Sequence, residues 1–443
     1  MPQNSPLPGP RRSFARDITG VLGSNVFAVL IGFLIDVVIS RQLGPEGSGL
    51  YASVLVVPLL VVSFMMMGVR RSAVFHIGKQ LYSDDRTVSA VMQVLVITAV
   101  LAMVVSGLSF LYFKPEGLTV PLVLLAVSSI PVRLILSYSS GIYLGKEQFK
   151  RSNLINWLPL FLNLAGVLLF VTFLHWSVAG ALLALFVSNL LVSLISLRHV
   201  FSEFKISFRP DKEVIFSLVK LGIGYAMALL IMQLNYKVDI LLLQKLSTLD
   251  QVGYYSLGVA ISDKLWQLPT AMGVVVLSRT ANMLDEKSLN QSVSRLLRIS
   301  FVLVLLAAAI LWVIIPYFLP LIFGGKFIPS VNVVRAMLPG IVIFVLPRIL
   351  NSRFAGIGQP KVLIAIFVPA LIINILLNLL WIPYYGGVGA AWASNVSYAF
   401  GAITLLIVYS VQMQVPFMEI IRFRKSDFDI ITNFLRRKSG RKI

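Results

Sequence analysis

The chain has 443 residues, 58% of them hydrophobic and only 13% charged, with a mean hydropathy of +0.88 and a formal net charge of +20. So much apolar sequence excludes an ordinary soluble domain and predicts an all-α polytopic membrane protein. Cysteine is absent and the three histidines are far apart, so disulfides and a metal cluster are excluded, and the basic excess reads as loops on one membrane face rather than a nucleic-acid surface.

Residues 1–17 are polar, carry Arg11, Arg12 and Arg16, and are expected to be a cytoplasmic N-terminal segment. The apolar run that follows is too long for the core of a cleavable signal and fits a spanning helix of about 20 residues. Spans are predicted at 18–40, 49–69, 88–112, 118–140, 153–174 and 177–198, which together form an N-lobe over 18–198. A cytoplasmic linker over 199–215 leads to a C-lobe over 216–413, with spans at 216–243, 252–277, 297–321, 333–355, 359–382 and 387–412. A basic cytoplasmic tail occupies 414–443, and its Phe423, Phe428, Ile430, Ile431, Phe434 and Leu435 suit a segment lying on anionic lipid headgroups.

The two halves repeat one another. Asp36 to Tyr51, which turns through Gly44-Pro45, matches Asp239 to Tyr255. Arg133 to Gly141 matches Arg348 to Gly356, Asn163 matches Asn374, and Val178-Ala-Gly-Ala matches Val388-Gly-Ala-Ala. Matched blocks in the same order imply duplication of one unit. An even number of spans per half brings both halves into the membrane from the same side. The fold expected is therefore twelve transmembrane helices in two parallel six-helix repeats around a central cavity. Apart from Arg133, Lys237, Lys264 and Arg348, the Lys and Arg residues are divided twenty-nine to five between the two sides. The rule that basic loops stay inside then puts both termini in the cytoplasm.

Ionisable residues within spans are costly and invite a functional reason. Arg133 and Arg348 hold matched positions, and a guanidinium fork suits phosphate oxygens. With Lys264, near the middle of its span beside Asp263, they are the candidates for binding an anionic head group. Asp36 and Asp239, with Lys237 nearby, are candidates for ion coupling or sugar contact; their repeat equivalence suggests two acids facing a cleft. Lys237 and Asp239 are two residues apart and point to different helix faces, whereas Asn235 shares the face of Asp239. The structural alternatives are a snorkelling acid and an arginine clamped on carbonyls at the Pro131 and Pro347 kinks. Enzyme signatures fail: no P-loop, GxSxG or HExxH occurs, and Asp427-Phe428-Asp429 lies in the tail with no domain to hold a sugar nucleotide. No cofactor is expected.

Arg41-Gln-Leu-Gly-Pro-Glu-Gly-Ser-Gly-Leu-Tyr-Ala52, Asp239 with Val252-Gly-Tyr-Tyr-Ser256, and Gly387-Val-Gly-Ala-Ala-Trp-Ala393 resemble the polysaccharide-exporter branch of the multidrug and oligosaccharidyl-lipid exporter superfamily. The resemblance implies a non-enzymatic inner-membrane flippase. Its substrate would be a lipid-linked oligosaccharide on a polyprenyl diphosphate, carried to the outer leaflet by alternating access. It also leaves room for polysaccharide polymerase or assembly proteins as partners. Two other readings stand beside it: a cation-coupled multidrug antiporter of the same fold, and a non-transporting scaffold for glycan assembly. A net positive site favours the first reading and a net negative one the antiporter.

Overall fold

The computed structural model describes residues 14–66, 68–267, 269–270, 286–357 and 359–422. They are helical throughout, in the order α1 (Phe14–Met65), α2 (Val69–Gly78), α3 (Asp84–Tyr112), α4 (Val120–Gly145), α5 (Phe149–Val167), α6 (Ser177–Glu203), α7 (Lys212–Leu246) and α8 (Leu249–Ser262). After the described gap come α9 (Glu286–Phe323), α10 (Ser330–Ile343), α11 (Val345–Gly356), α12 (Pro360–Gln412) and α13 (Phe417–Ile421). A π-helical turn, Leu168–Phe173, extends α5, and a 3-10 turn, Asp263–Trp266, extends α8.

Among the described residues, eight stretches are long and apolar enough to cross a membrane. Two helices are longer than any bilayer requires. The 52-residue α1 bends at Gly44 (φ 68°, ψ −174°), and the 53-residue α12 bends at Gly386 (φ 53°, ψ −131°). Positive φ is open to glycine at little cost, which is why the Gly44-Pro45 pair can reverse the chain between two apolar runs. Faces left exposed are apolar: Leu111, Val313 and Leu380 are each more than 60% accessible, as expected of side chains that meet lipid tails.

The chain forms two compact units. The first comprises residues 1–42, 61–112 and 119–226, and the second residues 43–60, 113–118 and 227–443, so α7 passes from one to the other after Ala226. In the first unit Tyr138, wholly buried, donates to the Met65 carbonyl (3.1 Å) and pairs with Thr98 (3.1 Å), and Tyr143 donates to the Ser196 carbonyl (3.1 Å). The stretch between α1 and α3 contains the short helix α2. The 199–215 linker is strapped to α3. Ser207 N donates to Ser89 Oγ (2.9 Å), Gln93 Nε2 donates to the Ser207 and Arg209 carbonyls (2.8 and 2.9 Å), and Arg86 pairs with Asp211 (2.8 Å).

In the second unit the prolines are accommodated in different ways. Pro347 has no N–H, and its ring crowds the carbonyl four residues earlier, so the helix breaks between Ile343 and Val345 and yields α10 and α11. At Pro339 the helix survives because Asn395 inserts its amide: Oδ1 accepts from Gly340 N (3.0 Å) and Nδ2 donates to the Ala336 carbonyl (2.6 Å). Neighbouring side chains that satisfy the freed groups are what make such prolines tolerable in a membrane. In the first unit α4 runs unbroken through Pro131.

Arg353, counted from sequence among the twenty-nine basic residues of the cytoplasmic side, is 1% exposed and donates to Asn290 Oδ1 (3.4 Å) and Met413 Sδ (3.7 Å). Arg298 holds α13 by donating to the Glu419 carbonyl (2.6 Å). Residues 423–443, with the tail aromatics and the Asp427-Phe428-Asp429 motif, lie outside the described residues.

Candidate functional site

α7 carries chemistry on two faces. Asn235 and Asp239 share one face, as a spacing of four requires, and Tyr236 and Lys237 look elsewhere. Each face builds a different site within the second unit.

On the first face Asp239 is wholly buried. Tyr255 Oη and Ser394 Oγ donate to its Oδ2 (2.5 and 2.6 Å), and Asn378 Nδ2 donates to its Oδ1 (2.7 Å). Asn378 Nδ2 also donates to the Asn374 main-chain and side-chain oxygens (2.9 and 3.0 Å). Beside this cage, Asn235 accepts from Ser397 Oγ (2.8 Å) and donates to the Phe367 carbonyl (3.2 Å). The donors come from α8 and both limbs of α12, so the bend at Gly386 is what brings Asn378 and Ser394 to one carboxylate. An isolated buried carboxylate costs several kcal/mol. Three hydrogen bonds offset part of that cost, and a proton or a bound cation would remove the rest. Asn378 Oδ1 is buried with no hydrogen-bond partner among the described residues. A carboxylate with one negative charge suits a proton or a hard monovalent cation. No group of three or more His, Cys, Asp or Glu able to hold a metal ion occurs among the described residues.

Asp239 is therefore wholly enclosed, where the repeat suggested an acid facing a cleft, and the half that carries its mate Asp36 differs at two of the cage positions. Asp36 is half-buried on α1 in the first unit. At the positions that match Asn378 and Ser394, the N-half carries Val167 and Ala184, both buried and neither able to bind a carboxylate.

On the second face three of the predicted residues come together. Lys237 on α7, Lys264 in the 3-10 turn and Arg348 on α11 all lie within electrostatic reach of Asp263. Three cations and one acid thus share this face. The Arg348 guanidinium stacks on Trp266 (4.3 Å to the ring centre) and flanks Tyr236 (5.1 Å) and Phe344 (6.0 Å). Its Nε is buried and has no hydrogen-bond partner among the described residues. Arg348 is thus held by aromatic faces, not by the carbonyls at the Pro347 break. Cation–π contact of this kind fixes the plane of the guanidinium while leaving N–H groups for an anion. Trp266 is itself fixed by donating Nε1 to the Ile341 carbonyl (3.0 Å). Tyr398 closes the box, with its ring 4.6 Å from Phe344, 5.9 Å from Trp266 and 6.1 Å from Tyr236.

Arg133 is half-buried on α4 in the first unit, apart from this cluster's unit. The rings and the cage residues Asn378, Ser394 and Tyr255 were missed from sequence. Tyr255 and Asn374 carried a signal, through their matches to Tyr51 and Asn163, and Asn378 follows Asn374 by one turn.

The model of a family described as "Polysaccharide biosynthesis protein" matches residues 14–277. A Shigella flexneri protein provisionally named an O-antigen transporter is 24% identical over 410 residues, covering 87% of this chain and 96% of that protein. Among solved structures, the lipid II flippase MurJ in an inward closed conformation superposes with a TM-score of 0.75 at 14% identity, over 96% of this chain and 93% of that one. An inward-facing multidrug resistance transporter of the MATE family in the MOP superfamily gives 0.71 at 16% identity, over 87% and 94%. A MOP superfamily transporter from Pyrococcus furiosus, described as having a binding pocket of reverse polarity, gives 0.62 at 17% identity, over 90% and 95%. At such identities the structures establish the transporter fold.

Proposed function

This chain belongs to the polysaccharide biosynthesis protein family, and on that premise we propose that it is a flippase. It moves polyprenyl-diphosphate-linked oligosaccharide from the cytoplasmic to the outer leaflet by alternating access. The observation that carries this reading is the cation cluster of Lys237, Lys264 and Arg348 around Asp263. In a setting of buried rings the charges of these side chains are poorly screened, and a diphosphate supplies charge opposite to the three cations. Arg348 contributes planar N–H groups for bidentate contact, and the lysines contribute compact point charges. Arg133 is assigned the same role in the first unit through its repeat match. A cationic drug would meet like charge at this cluster, which counts against a multidrug antiporter. The relatives named as an O-antigen transporter and a lipid II flippase support a lipid-linked substrate and a non-enzymatic role.

Asp239 is assigned to ion coupling: its cage takes up a proton or a monovalent cation, and the gradient of that ion drives the cycle. Asp36 retains the assignment of ion or sugar contact. The topology proposed has twelve spans, with α1 and α12 each counted twice at their glycine bends and α7 and α8 completing the set, and both termini in the cytoplasm. The setting is the inner membrane, with anionic lipids at the basic tail and polysaccharide assembly proteins as partners.

Deletion tests the function. Glycan-linked lipid should accumulate on the inner leaflet, and the wild-type chain should restore its appearance outside. Normal outer-leaflet glycan in the deletion strain would sink the assignment.

A further inference from the structure

The two sites are not independent pieces of the fold. Both are built on the same pair of helices, with alternating residues. On α7, Asn235 and Asp239 serve the cage, and Tyr236 and Lys237 serve the cation cluster. On α12, Ser394 and Ser397 bond to Asp239 and Asn235, and Tyr398, one turn beyond Ser394, enters the aromatic box. Tyr398 is buried, and its ring touches all three rings that support Arg348. Its nearest ring neighbour is Phe344, the residue at which the Arg348-bearing helix breaks. Its hydroxyl lies within electrostatic reach of both Asp239 and Asp263.

We propose that Tyr398 is a positioning residue that couples the Asp239 cage to Arg348, so that cation uptake in the cage sets the affinity of the cluster for an anionic diphosphate. The inference rests on the assignment of Asp239 to ion coupling. Uptake of a proton or cation changes what Ser394 and Asn378 bond to. The α12 segment that carries Ser394 adjusts, and Tyr398 moves with it as part of the same helical turn. A ring packed at 4.6 Å cannot shift without displacing its partner, because a packed interior has no slack. Phe344 is placed to respond, since it is the joint between α10 and α11: its N–H donates to the Gly340 carbonyl (2.9 Å) and its carbonyl accepts from Arg348 N (3.3 Å). The result is a change in the plane of the stacked guanidinium. The coupling runs through one contiguous path of packed side chains, from Ser394 and Tyr398 through Phe344 to Arg348. The charged groups facing Asp263 and Arg348 are Lys237 from α7 and Lys264 from the 3-10 turn. Those facing Asp239 are polar and uncharged: Tyr255 from α8, and Asn374, Asn378 and Ser394 from α12.

The test uses purified full-length protein and farnesyl diphosphate as the probe. Affinity is measured with sodium replaced by potassium, and separately across mildly acidic to mildly alkaline pH. The ion that moves the affinity identifies the cargo of the cage. Allosteric coupling is commonly about 5-fold to 150-fold, so wild type should respond by at least about fivefold. Tyr398→Leu and Phe344→Leu should each reduce that response to less than about twofold. Tyr398→Phe, which keeps the ring, should preserve it, and a Phe variant as uncoupled as the Leu variant would refute the packing route. If wild type responds and both Leu variants respond to the same extent, the role of Tyr398 is wrong while the cage assignment stands. If wild type does not respond, or Asp239→Asn responds like wild type, the cage assignment fails and the inference falls with it.

Discussion

Gly49 and Gly253 meet in a reciprocal contact within the second unit. A Cβ at Gly49 would collide with the carbonyl of Leu249, and a Cβ at Gly253 would collide with the carbonyl of Pro45. Leu249 lies four residues before Gly253, and Pro45 four residues before Gly49, so the two repeat-related turns make the same contact on each other. The obstructing atoms are backbone and cannot rotate away.

Alanine at Gly49 or Gly253 is therefore expected to destabilise the protein by about 1–3 kcal/mol, the usual cost of forcing atoms into a filled space. Gly32, in the same apolar run as Asp36, has nothing within 4 Å of its added Cβ. Gly32→Ala should be neutral or slightly stabilising, by up to about 1 kcal/mol, because alanine is the better helix former. Thermal unfolding in detergent separates the cases; equal effects at all three glycines would show that the contact is not formed.

Ser394→Ala removes one buried, charge-assisted hydrogen bond from Asp239 and should cost about 1.5–3 kcal/mol. The matched N-half substitution, Ala184→Ser, adds a hydroxyl while Val167 still stands in the place of Asn378, and should leave coupling untouched. Gradient dependence of glycan export should change in Ser394→Ala and in Asp239→Asn, and not in Ala184→Ser. Export with wild-type gradient dependence in both of the first two variants would remove the cage from the mechanism.

The strap over 204–213 has a pH signature. The hydrogen bond from Arg86 lowers the pKa of Asp211 from its ordinary value. A carboxyl lowered on folding contributes stability that is complete above its unfolded pKa and is lost as pH falls through its folded one. Amide exchange over 204–211 should then be unaffected across the neutral range and rise only in acid, below the ordinary carboxylate pKa. Arg86→Ala should move that rise to higher pH and weaken its salt dependence. A protection profile indifferent to Arg86→Ala would mean that the Ser89 and Gln93 bonds hold the strap unaided.

Topology is checked by reporters. Fusions after Met413 should report the cytoplasm, and fusions within 113–117 should report the outside, as the twenty-nine to five division of basic residues requires. A periplasmic C-terminus would overturn the arrangement.

What was legible in the sequence was whatever repeats or has a period. Apolar length marked the spans, the Gly44-Pro45 pair marked a bend, and a four-residue spacing put Asn235 with Asp239 and turned Lys237 away. Matched positions singled out Arg348. The sequence could not show what meets across the unit. Asn378 and Ser394 lie 139 and 155 residues from Asp239, and only the fold of α12 back on itself brings them together. The repeat also misled by its symmetry. It equated Asp36 with Asp239, although Val167 and Ala184 stand where the C-half has cage donors, because equal ancestry does not preserve equal chemistry. Arg353 looked like one more charge of the cytoplasmic side because burial of an arginine is set by its partners, Asn290 and Met413, and neither is near it in sequence.

The central claim is that the Arg348 cluster receives an anionic diphosphate. The most direct measurement is the affinity of purified full-length protein for farnesyl diphosphate against uncharged farnesol, in wild type, Arg348→Lys and Arg348→Ala. Wild type should prefer the diphosphate strongly. Arg348→Ala should weaken diphosphate binding by about 10-fold to 100-fold, the worth of charged hydrogen bonds at about 1.5–3 kcal/mol, and leave farnesol binding unchanged. Arg348→Lys should fall between, because it keeps the charge and loses the fork and the stack on Trp266. A folded Arg348→Ala protein that binds the diphosphate as tightly as wild type would contradict the account.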